Sequence, residues 1–387
     1  VGQSPLGGDA GSVLPVREFL LVALVTAVLT FLLTGLIRLL AIRLGAVAYP
    51  RQRDVHVVPI PRMGGVAMYL GVCGGMLLAH QLPVLRRAFD FSWDPYAILI
   101  GGGILVLIGM VDDRFELDSL TKFAGQTTCA GILVLFGIQW VVLWVPWGGD
   151  SDTGGSVLIL DQNQGGLLAI LLAVTLINAM NFVDGLDGLA AGIGLIAAAA
   201  TCAFSLHLLD ESKGDVNNYP PALIAATLAG ACLGFLPHNF QPARIFMGDS
   251  GSMLIGLMAA AASTSVSGRA NPSLWGATES IAVFSPLFIV AAVLFVPLLD
   301  LLMAVVRRTR RGESPFSADK MHLHHRMLAV GHSQRRAVLL IYLWAGVLAF
   351  GAVAFTIFDV FFVTWGLVIA VVIAAAASFL PSVRSSR

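Results

Sequence analysis

Apolar runs recur along almost the whole chain, each closed by a short polar segment rich in charge, Gly, Pro or Asn. A bilayer core takes about 20 apolar residues per helix, fewer where flanking residues snorkel. On that rule the runs at 17–40, 64–80, 95–111, 121–144, 165–181, 188–209, 219–236, 249–267, 281–306, 336–357 and 360–380 each predict a membrane-spanning helix. The expected fold is an all-α integral membrane protein of about 11 transmembrane helices. An odd number of spans sets the two termini on opposite sides. No internal repeat or low-complexity tract interrupts the pattern, so residues 1–387 read as a single polytopic membrane domain with a tail at 1–16 and a polar loop at 307–336. The Gly- and Ser-rich start has no positive n-region, so the first run reads as a retained span.

Composition agrees: 57% of residues are hydrophobic and 12% charged, against about 25% charged in soluble domains. Formal net charge is zero, which gives no bulk field for nucleic acid. Cys73, Cys129, Cys202 and Cys232 each stand alone in apolar sequence and read as small buried hydrophobes.

The distribution of charge sets the orientation, because Lys and Arg resist translocation whereas Asp and Glu count for little. Arg43, Arg51, Arg53, Arg62, Arg114, Lys122, Arg244, the eight basic residues from Arg307 to Arg336, and Arg384 and Arg387 fall on the side of the odd-numbered loops. That is 17 of the 23 Lys and Arg residues. Arg17, Arg86, Arg87, Lys213 and Arg269 fall on the other side, and Arg38 lies within the end of the first span. The odd loops are therefore expected in the cytoplasm, with the N-terminus outside and the C-terminus inside.

The same odd loops hold the residues capable of chemistry. In order they carry His56 to Gly65 with Pro61-Arg62-Met63-Gly64-Gly65, then Val111-Asp112-Asp113 with Lys122, then Asn178, Asn181, Asp184 and Asp187 at three-residue spacing. Asn239 and Phe246-Met247-Gly248-Asp249-Ser250-Gly251 follow, and then Asp319 to Arg326 with His322, His324 and His325. Asp112 and Asp113 follow directly on an apolar run, where two adjacent carboxylates repel and lose hydration unless a cation joins them. A solvated helix cap is the bland alternative. The Asn178 to Asp187 series puts neighbouring members on one side of a helical turn, which Gly185 and Gly188 would break. Oxygen donors without Cys suit a hard ion, Mg2+ or Mn2+, that engages substrate phosphates through one or two protein oxygens. Asp249 lies in a turn just before a predicted helix, whose N-terminal N–H groups can also receive phosphate. The histidines of the fifth loop read as phosphate or sugar contacts or, less well for want of a spaced partner, as a zinc site. His80 and His207 read as interfacial structure.

These five motifs, in this order between Pro61 and Arg326, resemble the polyprenyl-phosphate N-acetylhexosamine-1-phosphate transferases, the superfamily of MraY, WecA and the eukaryotic dolichyl-phosphate GlcNAc-1-phosphate transferase. The His322-x-His324-His325 pattern and Pro61-Arg62 are similar to the WecA branch, in an actinobacterial or mycobacterial form, whereas MraY usually has three consecutive histidines and Pro-Thr. The resemblance implies an MraY-like fold in the plasma membrane and transfer of N-acetylglucosamine 1-phosphate from UDP-GlcNAc to polyprenyl phosphate, decaprenyl in that branch. The product would open a cell-envelope polysaccharide such as arabinogalactan, and a homodimer would be compatible with it.

By the same resemblance Asp249 is the principal ligand of Mg2+ or Mn2+, with Asn181 its partner and Asp112 close by. Asp112 and Asp113 would position or activate the lipid phosphate, and Lys122 would contact phosphate. Asp184 and Asp187 correspond to positions near the nucleoside, Phe246 to an aromatic stacked on uracil, and Asn239 to a polar contact beside it. His322, His324, His325 and Arg326 match a loop that recognises sugar and diphosphate, and Arg62 and Asn178 complete the expected substrate contacts. Two rival functions differ in kind. One is the MraY reaction with a UDP-muramoyl-pentapeptide donor. The other is a cation-coupled transporter, although such sites sit near the bilayer midplane, whereas these acids lie at helix ends.

Overall fold

The computed structural model describes residues 15–48, 58–145, 156–267, 309–310 and 333–379. Eleven α-helices run through these residues: α1 (Val16–Leu44), α2 (Gly64–Gln81), the single turn α3 (Arg87–Asp90), α4 (Asp94–Phe115), α5 (Ser119–Leu135), α6 (Gln162–Val183), α7 (Leu189–Glu211), α8 (Tyr219–Asn239), α9 (Gly248–Ser267), α10 (Gln334–Ile357) and α11 (Val360–Phe379). Two small antiparallel hairpins join them. β1 (Val47–Ala48) pairs with β2 (Ile60–Pro61), Val47 opposite Pro61, and β3 (Val142–Val145) pairs with β4 (Ser156–Ile159), Val142 opposite Ile159.

Every predicted span overlaps one of these helices except 281–306, which lies outside the described residues, and all but 121–144 match within a few positions. Seven helices among the described residues are long and apolar enough to cross a membrane. Helices α2, α5 and α9 are not in that set, and for α9 the reason is visible in its surroundings. It is enclosed by α2, α4, α6, α7 and α8 and meets protein almost all round, so small and hydroxyl residues replace lipid-facing Leu and Ile. The outer helices show the opposite pattern: Leu20, Leu24, Leu32 and Leu36 of α1 and Phe361, Phe362, Trp365 and Val368 of α11 are exposed, as hydrocarbon contact requires.

One predicted span is corrected. The run at 121–144 does not form a single helix, because α5 stops at Leu135. Gly137 takes φ 92, and its N–H bonds Val134 O at 2.9 Å while Ile138 N bonds Leu133 O at 2.9 Å, a left-handed stop that satisfies the last carbonyls. The β-branched and aromatic residues beyond it, Val142-Leu143-Trp144-Val145, enter the β3–β4 hairpin instead. Other boundaries have equally local causes. Gly45, at φ 70, ends α1 by the same motif, and Asp161 opens α6 in a capping box with Gln164.

Glycines let α9 into the centre. A Cβ on Gly65 of α2 would overlap the backbone of Ser250 and Gly251, one on Gly109 of α4 would overlap Ser250, and one on Gly256 would overlap Ile177 of α6. Gly65→Ala should therefore drive α2 from α9 at an overpacking cost of about 1–3 kcal/mol. Thermal unfolding in detergent should show a lowered midpoint, and an unchanged one would contradict this close approach.

Candidate active site

The motif residues that the structure describes come together at one end of the bundle, where α4, α6 and α8 finish and α2, α5, α7, α9 and α10 begin. Asp112 and Asp113 are not beyond the apolar helix, as expected from sequence, but inside the last turns of α4, which runs to Phe115. Neither is a solvated cap, since Asp112 is 5% exposed and Asp113 7%. Successive helical positions diverge by about 100°, so the two carboxylates serve different partners. Asp112 Oδ2 meets Lys122 Nζ at 2.6 Å, and its Oδ1 accepts from Leu117 N at 2.7 Å. Asp113 turns to the start of α9: Oδ1 accepts from Asp249 N at 3.0 Å, and Oδ2 from Ser250 Oγ at 2.9 Å and Ser250 N at 3.5 Å.

Asp113 is thus a cap supplied in trans, taking N–H groups that a helix N-terminus otherwise leaves unpaired. This corrects the expectation that the first N–H groups of α9 would receive phosphate. The N–H groups of Asp249 and Ser250 are already taken by a carboxylate.

Lys122 stands in the first turn of α5, a helix opened by Asp118, whose Oδ1 accepts from Leu120 N and Thr121 N, both at 3.0 Å. The Thr121 hydroxyl and these amides hold the Asp118 carboxyl below the usual carboxylate range. From there the Lys122 ammonium bridges Asp112 and Asp249 Oδ2, the latter at 3.1 Å. Asn181 lies beside Asp249 and donates to Ser252 Oγ at 3.1 Å. Asn178 is directed elsewhere, donating to Gln126 Oε1 at 2.8 Å and tying α6 to α5.

Helix α6 ends at Val183, so Asp184 and Asp187 belong to the turn before α7, not to a continuing helical face. Burial and the nearby carboxylates of Asp249 and Asp113 push the Asp184 carboxyl well above its usual range, and Arg62 opposes them. Arg62 is fixed by its backbone N–H on Ala46 O at 2.9 Å and is half-buried. Asp187 Oδ2 accepts from Ala243 N at 3.0 Å. Asn239, 1% exposed, spends both ends of its amide on the backbone: Oδ1 accepts from Gly188 N at 3.0 Å and Nδ2 donates to Ile245 O at 3.1 Å. It shapes the two loops by joining them. Phe246 is held by its N–H on Pro61 O at 2.8 Å and by Gly64 N on its own carbonyl at 3.0 Å, leaving the ring half-buried.

His322, His324, His325 and Arg326 lie outside the described residues. Several neighbours escaped the sequence reading. Gln126 could have been found from its place one helical turn after Lys122, and Ser250 and Ser252 from their nearness to Asp249. Nothing in the sequence singles out Gln334 or Tyr342, which reach this end from α10.

Among the described residues, the carboxyl groups of Asp112, Asp113, Asp184 and Asp249 have Lys122 and Arg62 as nearby cations at the mouth of an apolar bundle. Comparison with known proteins gives the arrangement its context. Residues 96–267 match glycosyl transferase family 4. The chain is 56% identical to the decaprenyl-phosphate N-acetylglucosaminephosphotransferase of Mycolicibacterium smegmatis, over 97% of this chain and 91% of that protein. It is 55% identical to the protein of that name from Mycobacterium leprae, over 96% and 92%. A more distant relative is the probable undecaprenyl-phosphate N-acetylglucosaminyl 1-phosphate transferase of Bacillus subtilis, 33% identical over 86% and 84%. With such identity sustained over nearly its whole length, the chain belongs to glycosyl transferase family 4, among the polyprenyl-phosphate N-acetylglucosamine-1-phosphate transferases.

Proposed function

We propose that this protein transfers N-acetylglucosamine 1-phosphate from UDP-GlcNAc to a polyprenyl phosphate, decaprenyl phosphate by analogy with the mycobacterial relatives, and releases UMP. The observation that carries this reading is the Asp112–Lys122–Asp249 constellation at the end of an apolar bundle. There a lipid phosphate arriving from the bilayer can meet a water-soluble diphosphate. The 17 to 5 division of basic residues favours a cytoplasmic position for this end. The full topology would then have about 11 spans, with the N-terminus outside and the C-terminus inside a plasma membrane.

The reaction is a phosphoryl transfer: an oxygen of the lipid phosphate bonds to the sugar-side phosphorus, and the bond from that phosphorus to the UMP oxygen breaks. Such chemistry needs positioning and neutralisation of charge more than a protein nucleophile. Asp249 and Asp112 already direct carboxylate oxygens at one cationic group, with the Asn181 amide beside them. These hard oxygen donors fit Mg2+ or Mn2+. Such an ion would complete its shell with water and substrate phosphate. When bound, the ion would neutralise the diphosphate. Lys122 offers its ammonium to phosphate oxygens, Asp113 fixes the start of α9 and with it Asp249, and Arg62 balances Asp113 and Asp184. His322, His324, His325 and Arg326 would read the sugar and diphosphate, as the resemblance implies.

The experiment is UMP release from a panel of UDP-sugars, with purified protein and polyprenyl phosphate, with and without Mg2+. Metal-dependent turnover of UDP-GlcNAc is expected. Preference for UDP-muramoyl-pentapeptide, or no UMP from any donor, would overturn the reading. Phe246→Ala should raise KM for UDP-GlcNAc about two- to tenfold, the scale of one aromatic contact, while sparing KM for the lipid. A change confined to the lipid would move uracil recognition away from Phe246.

A further inference from the structure

We infer that the first turns of α10 clasp the two loops carrying Asp184, Asp187 and Phe246, and that Tyr342 and Gln334 are positioning residues for the nucleotide half of the donor. The inference rests on the proposed reaction and adds residues that lie outside the acid cluster and that no motif marks.

The two loops are already one hydrogen-bonded body. Asn239 joins Gly188 N to Ile245 O, and Asp187 takes the N–H of Ala243. Helix α10 grips this body at two points. At its first residue, Gln334 Oε1 accepts from Gln241 Nε2 at 2.7 Å, and the adjacent Arg335 Nε donates to Gln241 O at 3.0 Å. Gln334 is 6% exposed and Gln241 half-buried, so the Gln334 end of this amide pair is sheltered from competing water. Two turns further on, the Tyr342 hydroxyl donates to Gly188 O, and its ring lies where any Cβ on Gly192 would have to be. Gly188 is the left-handed residue, φ 80, that opens α7 directly after Asp187.

Eight helical residues separate the two grips, about 12 Å along the axis, so one rigid rod spans both loops. The rod is itself fixed at its far end, where His207 Nε2 of α7 lies 3.0 Å from Thr356 O. Neither grip bonds Asp112, Asp113, Lys122 or Asp249. Loosening α10 therefore shifts the turn of Asp184 and Asp187 and the loop before Phe246 while leaving the transferring centre in place. The expected signature is weaker nucleotide binding with the chemical step preserved.

The test uses purified full-length protein, Tyr342→Phe, Gln334→Met and the double variant, with UMP binding by calorimetry and KM for both substrates. Each single variant should weaken UMP binding and raise KM for UDP-GlcNAc about three- to tenfold, the scale of one lost hydrogen bond, with kcat and KM for polyprenyl phosphate held within about twofold. The double variant should fall short of the product of the two singles, because both act on one body. Unaltered UMP affinity in Tyr342→Phe, or an equal rise in KM for both substrates, overturns the inference. Should Gln334→Met not fold, Tyr342→Phe decides alone, since it removes one oxygen atom. If the wild type neither binds UMP nor releases it from UDP-GlcNAc, the proposed reaction fails and the inference with it. If the wild type does both and the variants match it, only the clasp is refuted.

Discussion

Asp249→Ala is expected to reduce UMP release by at least about 100-fold, the scale for losing one preorganised electrostatic group in an active site, while the protein still folds. The two halves of this expectation come from different atoms of one residue. The backbone N–H of Asp249 donates to Asp113 and helps to dock α9, and alanine keeps it. The carboxylate accepts from Lys122 and lies beside Asn181, and alanine removes it. A hard metal held as proposed would lose one of its two carboxylates, and Lys122 would be left with Asp112 alone. Asp249→Asn should be nearly as damaging, because it keeps the shape and loses the charge. The readouts are UMP release at saturating Mg2+ and the thermal midpoint in detergent. Near-normal turnover by a folded variant would remove Asp249 from the mechanism.

The fold was legible where lipid sets the rules. Among the described residues, apolar runs bounded by polar residues located the helices to within a few positions, and only the β-rich stretch after Gly137 passed for helix, because Val-Leu-Trp-Val is as apolar as a span. At the site the residue types were legible and their pairings were not. Asp112 and Asp113 announce themselves as neighbours, yet the direction of each depends on α4 continuing through them and on α9, more than 130 residues later in the chain, arriving alongside. Asn239 was expected beside the nucleoside because the resemblance implies a polar contact there, and both ends of its amide are occupied by Gly188 and Ile245. Gln334 and Tyr342 lie in an ordinary helical pattern. Their significance arises wholly from tertiary contact.

Asp113 should be indispensable as a structural acceptor and not as a nucleophile. Its Oδ1 is held by Asp249 N and its Oδ2 by the Ser250 hydroxyl and amide, and it is nearly excluded from solvent. An attacking carboxylate would have to abandon these donors, each costing about 1–3 kcal/mol when left buried and unpaired, and the start of α9 would lose its cap as phosphorus arrived. Asp113→Ala should therefore be hit twice: lower stability from the stranded amides of Asp249 and Ser250, and turnover reduced at least about 100-fold because the Asp249 carboxylate moves with the loosened helix, and misplacement of about 1 Å is enough for that. Asp113→Asn keeps one acceptor oxygen and should recover part of the thermal midpoint, though little of the activity. The decisive measurement uses UDP-GlcNAc labelled with 32P at the sugar-side phosphate, mixed with wild-type protein and no lipid phosphate. No label should remain on the denatured protein, and UMP should not appear until acceptor is added. A stoichiometric burst of UMP without acceptor, with acid-stable label on the wild type and none on Asp113→Asn, would show that Asp113 leaves its cap to form a covalent intermediate, and the role assigned to it here would have to be given up.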